Sequence, residues 1–230
     1  MISIVNKLPQ IDRLNAEWVK ISCLYEAYKN DDKVLFWVQD GDKAVISLTD
    51  GNMIIYNNGA NFEEIKNFVE VLSPACIYSD YDTLCSIDKV PDERINVVYR
   101  YADVEKAKES DSLKSDEIYS LLDVDGLSLP EYPYFAVDYC HRLNMGTADY
   151  FAINNKCAAI SFNCGKYAII NGIAAKEKGY GSVALGGILN KNFGRQFLVC
   201  CRDKVKGFYE KNGFKFLYYA GYWVKSNEHK

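Results

Sequence analysis

The chain has 230 residues, with 31 acidic and 27 basic side chains and a formal charge of −4. That balance argues against a general nucleic-acid surface, and no apolar run approaches the ~20 residues that cross a bilayer. The segment from Met1 to Lys7 lacks the apolar core of a secretion signal, so a soluble, cytoplasmic protein is expected.

Three strands are read first: Val34 to Val38, Ala44 to Leu48 and Met53 to Tyr56. Asp40-Gly41 and Asp50-Gly51 lie between them, and Asp-Gly between apolar runs is a hairpin signal. Phe62, Ile65, Phe68, Val69 and Leu72 then recur at helical spacing, and Pro74 closes the helix. A strand from Cys76 to Ser79, a small helix near Tyr81 to Ile87 and a strand from Ile95 to Tyr101 follow. Residues 102–116 are charged and rich in Ser, and read as a linker or an exposed helix.

The second half repeats the order. Helices over Glu117 to Leu122 and Tyr134 to Leu143 precede strands at Tyr150 to Ile153, Ala158 to Phe162 and Tyr167 to Asn171. Asn154-Asn155 and Cys164-Gly165 are the turns between those strands. A helix from Gly179 to about Asn190, a strand from Gln196 to Cys201, a helix from Asp203 to Lys211 and a strand from Phe214 to Tyr219 complete it. This α/β (α+β) pattern predicts a mixed, mostly antiparallel sheet flanked by helices, in tandem. The two domains are expected at 1–95 and 96–230.

The eight cysteines show no Cys-x-x-Cys spacing, and the only histidines are His141 and His229. Most of the thiols are expected to be free and buried, with no disulfide and no metal site.

The chemistry concentrates after the Tyr167 to Asn171 strand, in Ile173-Ala174-Ala175-Lys176-Glu177-Lys178-Gly179-Tyr180-Gly181-Ser182. A strand that runs through two close glycines into a helix leaves several backbone N–H groups facing one spot. The helix dipole and the two lysines beside them suit a phosphate or pyrophosphate, though a tight strand–helix turn would look the same. Neither Gly-x-x-x-x-Gly-Lys-Ser/Thr nor an early Gly-x-Gly-x-x-Gly is present, which counts against a nucleotide-phosphate enzyme.

Downstream lies Phe208-Tyr209-Glu210-Lys211-Asn212-Gly213-Phe214. Together the two segments resemble the GNAT superfamily of N-acetyltransferases over roughly the last half of the chain. Lys176-x-x-Gly179-x-Gly181 is similar to that family's pyrophosphate loop, with Lys where Arg or Gln is usual. The Tyr209 segment resembles its Tyr-Glu-Lys-x-Gly-Phe run. The resemblance implies an acetyl-CoA-dependent N-acetyltransferase that transfers acetyl directly to a primary amine, on a small molecule or a peptide. Ile173, Ala174, Lys176, Lys178, Gly179, Tyr180, Gly181 and Ser182 would then hold acetyl-CoA, and Tyr209 would protonate the departing thiolate. The first half has Asn57-Asn58-Gly59-Ala60-Asn61 at the corresponding place and reads as a degenerate GNAT-like domain without a cofactor site. The alternative is a non-catalytic acyl-CoA-binding or protein-interaction module on the same fold.

No general base is legible among Glu117, Glu131, Asp138, His141 and Asp149. Tyr218, Tyr219, Tyr222 and Trp223 fit an acceptor pocket, a homodimer contact or plain strand packing.

Overall fold

A computed structural model describes residues 1–102, 109–125, 127 and 129–225. Residues 103–108 of the expected linker lie outside the described residues. The chain divides into two compact units that are not continuous in sequence. The first comprises Met1–Val98, Cys200–Lys211 and the described residues from Lys215 on; the second comprises the described residues of Tyr99–Val199 with Asn212–Phe214.

In the first unit the strands are β1 (Ile2–Ile4), β2 (Leu35–Gln39), β3 (Ala44–Thr49), β4 (Asn52–Asn57) and β5 (Cys76–Asp80), interspersed with helices α1 (Ala16–Tyr28), α2 (Phe62–Leu72) and α3 (Tyr81–Ser86). β6 (Arg94–Tyr101) leads out of it. Neighbouring strands pair antiparallel from β1 to β4, while β4 and β5 run parallel. A two-residue turn joins β3 to β4, with Thr49 opposite Asn52 and positive φ at both Asp50 and Gly51. That conformation matches the strand twist, which is why Asp-Gly serves there.

β2 and β3 are apolar over most of their length because both of their faces are covered. Phe36, Val38 and Val45 pack with Trp18, Ile21 and Leu24 of α1. Their sequence neighbours Trp37, Ala44 and Ile46 point the other way, onto Ile65 and Val69 of α2 and Leu84 of α3. Asn61 caps α2 by accepting from the Glu64 amide at 3.2 Å, and Ser73, in the left-handed region, ends it just before Pro74.

The second unit carries α4 (Ser115–Leu122), α5 (Tyr132–Asn144), β7 (Ala148–Ile153), β8 (Cys157–Cys164), β9 (Tyr167–Ala175) and α6 (Tyr180–Lys191), followed by β10 (Gln196–Cys201), which crosses into the first unit at Cys200. β7, β8 and β9 form an antiparallel meander, and β10 pairs parallel with β9. Ile118, Leu122, Phe135 and Tyr139 of α4 and α5 cover one face, over Ala152, Ala158, Ile160 and Ala174. α6 contacts β7, β8 and β9. Its Gly187 sits so near Phe151 that a Cβ there would fall 2.2 Å from the ring.

Two elements close the chain, α7 (Asp203–Lys211) and β11 (Lys215–Val224). β11 pairs antiparallel with β5 of the first unit, from Ala220 opposite Asp80 to Val224 opposite Cys76.

All eight thiols are free. The expectation that most are buried needs correction, since only Cys23, Cys157 and Cys201 are, and Cys140 is exposed. α5 turns Phe135, Tyr139 and Arg142 inward, and the helical period carries Cys140 to the outer side.

Candidate phosphate-binding loop

β9 and β10 pair from Tyr167 opposite Gln196 only as far as Ile170 opposite Val199. β9 continues for five residues, Asn171 to Ala175, paired on its β8 side alone. A register shift between Ile160 and Ser161 of β8 leaves Asn171 as the extra residue, a bulge that bends the strand at the point where its second partner stops. Ile173 and Ala174 lie opposite Ala159 and Ala158 in that stretch. The other edge of β9 there offers backbone donors and acceptors, the groups to which an extended amide chain adds as a strand.

The strand runs into Ala175-Lys176-Glu177-Lys178-Gly179, and α6 begins at once. Gly179 is its N-cap, with φ 90° and ψ −24°. No side chain caps the helix, so the amides of Gly181 and Ser182 in its first turn keep their hydrogens for another acceptor. Nothing lies within 4 Å of a Cβ at Gly179, so the left-handed backbone, not crowding, is what requires glycine there.

Two features hold the loop in place. The Lys176 amide donates to the Lys156 carbonyl at 2.8 Å, extending the β8–β9 ladder by one step. The Lys156 ammonium donates to the Tyr180 hydroxyl at 2.9 Å and lies 3.7 Å from Glu177. Its pKa is raised, first by the Tyr180 hydrogen bond and then by the Glu177 charge. Lys176, Lys178, Gly179 and Ser182 are exposed, while Tyr180 and Gly181 are half-buried. The residues present therefore fit a pyrophosphate: free amides at a helix N-terminus, a glycine in the left-handed region and exposed lysines. Lys156 was not foreseen. It lies in a polar turn of Asn154-Asn155-Lys156, which in sequence shows only a hairpin.

Tyr209 lies on α7, in the first unit, whereas the loop lies wholly in the second. It is buried, with its ring edge-on to Phe208 at 5.1 Å. Burial, with Cys201 and Cys200 adding to it, pushes the phenol well above its ordinary pKa. The group is thus held protonated across the physiological range.

Most of the candidate bases have structural duties. Glu117 accepts from the Lys114 amide at 2.8 Å at the start of α4, and Asp138 pairs with the Arg142 guanidinium at 2.8 Å. Asp149 accepts from Asn163 at 2.6 Å, at the end of a buried chain running through Ser161 to Asn192. Glu131 stands exposed at the N-cap of α5. His141 is half-buried near the end of the same helix, where its carbonyl accepts from Met145.

No family model matches the sequence, and no curated protein matches it. Solved structures do resemble the fold. A tandem GNAT protein from the clavulanic acid biosynthesis pathway is similar at a TM-score of 0.52, with 8% identity, over 97% of this chain and 91% of its own. A GNAT-family acetyltransferase from Colwellia psychrerythraea reaches 0.51 with 10% identity, over 98% and 100%. A conserved protein of unknown function from Staphylococcus epidermidis reaches 0.54 with 12% identity, over 83% and 93%. At these identities the likeness speaks for the fold, and it agrees with what the Lys176 to Ser182 loop and the Tyr209 segment suggest. The chain has a GNAT-like fold, of the kind seen in a tandem GNAT protein.

Proposed function

We propose that the chain is an N-acetyltransferase that binds acetyl-CoA at the Lys176 to Ser182 loop and passes acetyl directly to a primary amine, on a small molecule or a peptide. The observation that carries this is the early end of the β9–β10 pairing at Ile170. It leaves the open edge of β9 leading straight to the uncapped start of α6. An amide chain ending in a pyrophosphate needs such an edge followed by such a helix terminus.

Acetyl-CoA supplies an activated thioester. The residues then have separate tasks. The amides at Gly181 and Ser182 take the pyrophosphate, while Lys176 and Lys178 add positive charge at its rim. The edge at Ile173 and Ala174 holds the pantetheine amides and so fixes the thioester's position, which lowers the entropy cost of reaction. Tyr209 keeps its proton to well above neutral pH and serves as a general acid toward the thiolate, a role that rests on its motif. No metal takes part in this reading. We place the protein in the cytoplasm; among the described residues no helix is long and apolar enough to cross a membrane.

The test is a calorimetric titration with acetyl-CoA, followed by release of free CoA thiol in the presence of a panel of primary amines. Binding with turnover supports the reading. Binding with no turnover for any amine favours a non-catalytic acyl-CoA-binding module, and no binding overturns both.

A further inference from the structure

The first unit holds a cavity of about 460 Å³, within the range that takes a small molecule. Its polar lining includes Asp80, Asp82, Arg94 and Asn15, and its aromatic walls include Tyr81 and Tyr219. These residues come together because β5, the start of α3, the start of β6 and β11 all end or begin at this point.

The charges in it are unusual for so small a space. The Arg94 guanidinium lies 4.4 Å from the centre of the Tyr81 ring and 5.4 Å from that of Tyr219. Stacking of this kind orients the planar fork without using its N–H donors. Among the described residues Arg94 makes no ion pair, although two carboxylates line the same cavity. Asp80 is fixed by the Thr83 amide at 2.8 Å and the Thr83 hydroxyl at 2.6 Å. Asp82 is exposed and makes no side-chain bond among the described residues. Asn15 accepts from Trp18 through its oxygen, which leaves its amide N–H groups as donors. A cation and two anions are therefore held apart around one space, each with hydrogen-bonding capacity to spare.

Tyr218 also lines the cavity, and its hydroxyl donates to Glu17 at 2.5 Å and accepts from the Ala16 amide at 2.8 Å, bonds that hold the side chain in its place in the wall.

We propose that this cavity binds a free α-amino acid with an apolar side chain. Its carboxylate meets the Arg94 fork, its ammonium meets Asp82 with Asp80 beside it, and its side chain lies against the tyrosine rings. A dication would meet the stacked guanidinium, and a dianion the two aspartates; a zwitterion satisfies both. The site lies in the first unit and does not rest on the acetyl-CoA reading.

Three probes test it on the full chain by calorimetry: L-phenylalanine, 2-phenylethylamine, which lacks the carboxylate, and 3-phenylpropionate, which lacks the amine. L-Phenylalanine should bind, and each half-ligand should bind about 10- to 100-fold more weakly, the scale of a charge-assisted contact. Arg94→Gln should cost L-phenylalanine a similar factor and leave 2-phenylethylamine unchanged. Asp82→Asn should do the converse, sparing 3-phenylpropionate. Absence of heat with L-phenylalanine up to about 10 mM would overturn the proposal. So would equal affinity for all three probes, or variants that fold yet bind L-phenylalanine as tightly as the parent. The comparison of probes on the unaltered chain stands even if one variant fails to fold.

Discussion

Ile170 of β9 lies opposite Val199 of β10, and there the parallel pairing of the two strands ends. Strands that part in this way leave backbone groups open on one edge. In this chain the open edge is followed within a few residues by the αL glycine and the uncapped first turn of α6. The Lys176 to Ser182 loop thereby combines an open edge and a helix N-terminus, the two elements that a chain of amides ending in phosphate requires.

A charge placed at that terminus should show whether phosphate binds there. Gly181→Glu puts a carboxylate in the first turn, where it favours the helix but repels a phosphate. Acetyl-CoA affinity is expected to fall about 100-fold or more, with the melting temperature changed by no more than a few degrees. Calorimetry and a thermal melt on the same sample check both. Unchanged affinity would remove the loop from the cofactor site.

Tyr209→Phe separates chemistry from packing. The change removes one hydroxyl from a buried ring and keeps nearly all its contacts. If the phenol acts as general acid, kcat should drop by roughly 10²–10⁴-fold while acetyl-CoA affinity holds. If the residue only packs, turnover stays near normal and at most about 1 kcal/mol of stability is lost with the hydroxyl. Steady-state kinetics with a denaturant titration distinguishes the outcomes.

Gly187 and Phe151 make a packing prediction. A Cβ at Gly187 would lie 2.2 Å from Cδ2 and 2.3 Å from Cγ of the Phe151 ring, which is itself buried. Gly187→Ala gains helix propensity but forces α6 off β7, so a net loss of about 1–3 kcal/mol is expected. The pair Gly187→Ala with Phe151→Leu should lose less than the sum of the two single changes, because the shorter side chain yields the space. Urea unfolding of the three variants measures the coupling.

Glu17 predicts a pH dependence. It is fully buried on α1, accepts from Tyr218, and has a second carboxylate oxygen with no hydrogen-bond partner among the described residues. Burial raises its pKa to about 7, against the opposing hydrogen bond from Tyr218, with Asp80 pushing the same way as burial and Lys20 against it. Between the unfolded value near 4.5 and about 7 the folded chain binds the extra proton, so stability falls as pH rises through that window. Above it the loss is complete, on the order of 3 kcal/mol. Glu17→Gln, which cannot ionise, should flatten the melting temperature between pH 5 and 8 and exceed the parent's at the upper end. A parent melting curve that is already flat across that range would contradict the buried carboxyl.

Much of the fold was legible because its signals are local. α2 begins and ends where Asn61 and Ser73-Pro74 place it, and an Asp-Gly turn sets the register between β3 and β4. The Lys176 to Ser182 loop was legible for the same reason, since its glycines and lysines fall within one short stretch. α1 was not read. Trp18, Val19, Ile21, Cys23 and Leu24 are buried around most of its circumference, so no polar face alternates with an apolar one to reveal the period.

By itself the sequence determined most of the segments that become strands and helices, α1 and β1 excepted, and singled out the loop proposed to meet a phosphate, because both follow from backbone preferences over a few residues. Only the tertiary structure decided which strands are neighbours. β11 follows α7 directly and reads as the closing strand of the second half, yet it pairs with β5, some 140 positions earlier, with Ala220 opposite Asp80. Backbone hydrogen bonds are the same whichever strand supplies them, so no residue in β11 names its partner. That pairing brings Tyr218 to Glu17 and Tyr219 to Arg94, contacts between residues more than a hundred positions apart. The cavity of the first unit, its spare charges and the raised pKa of Glu17 all depend on it, and none is written in any stretch of sequence short enough to read.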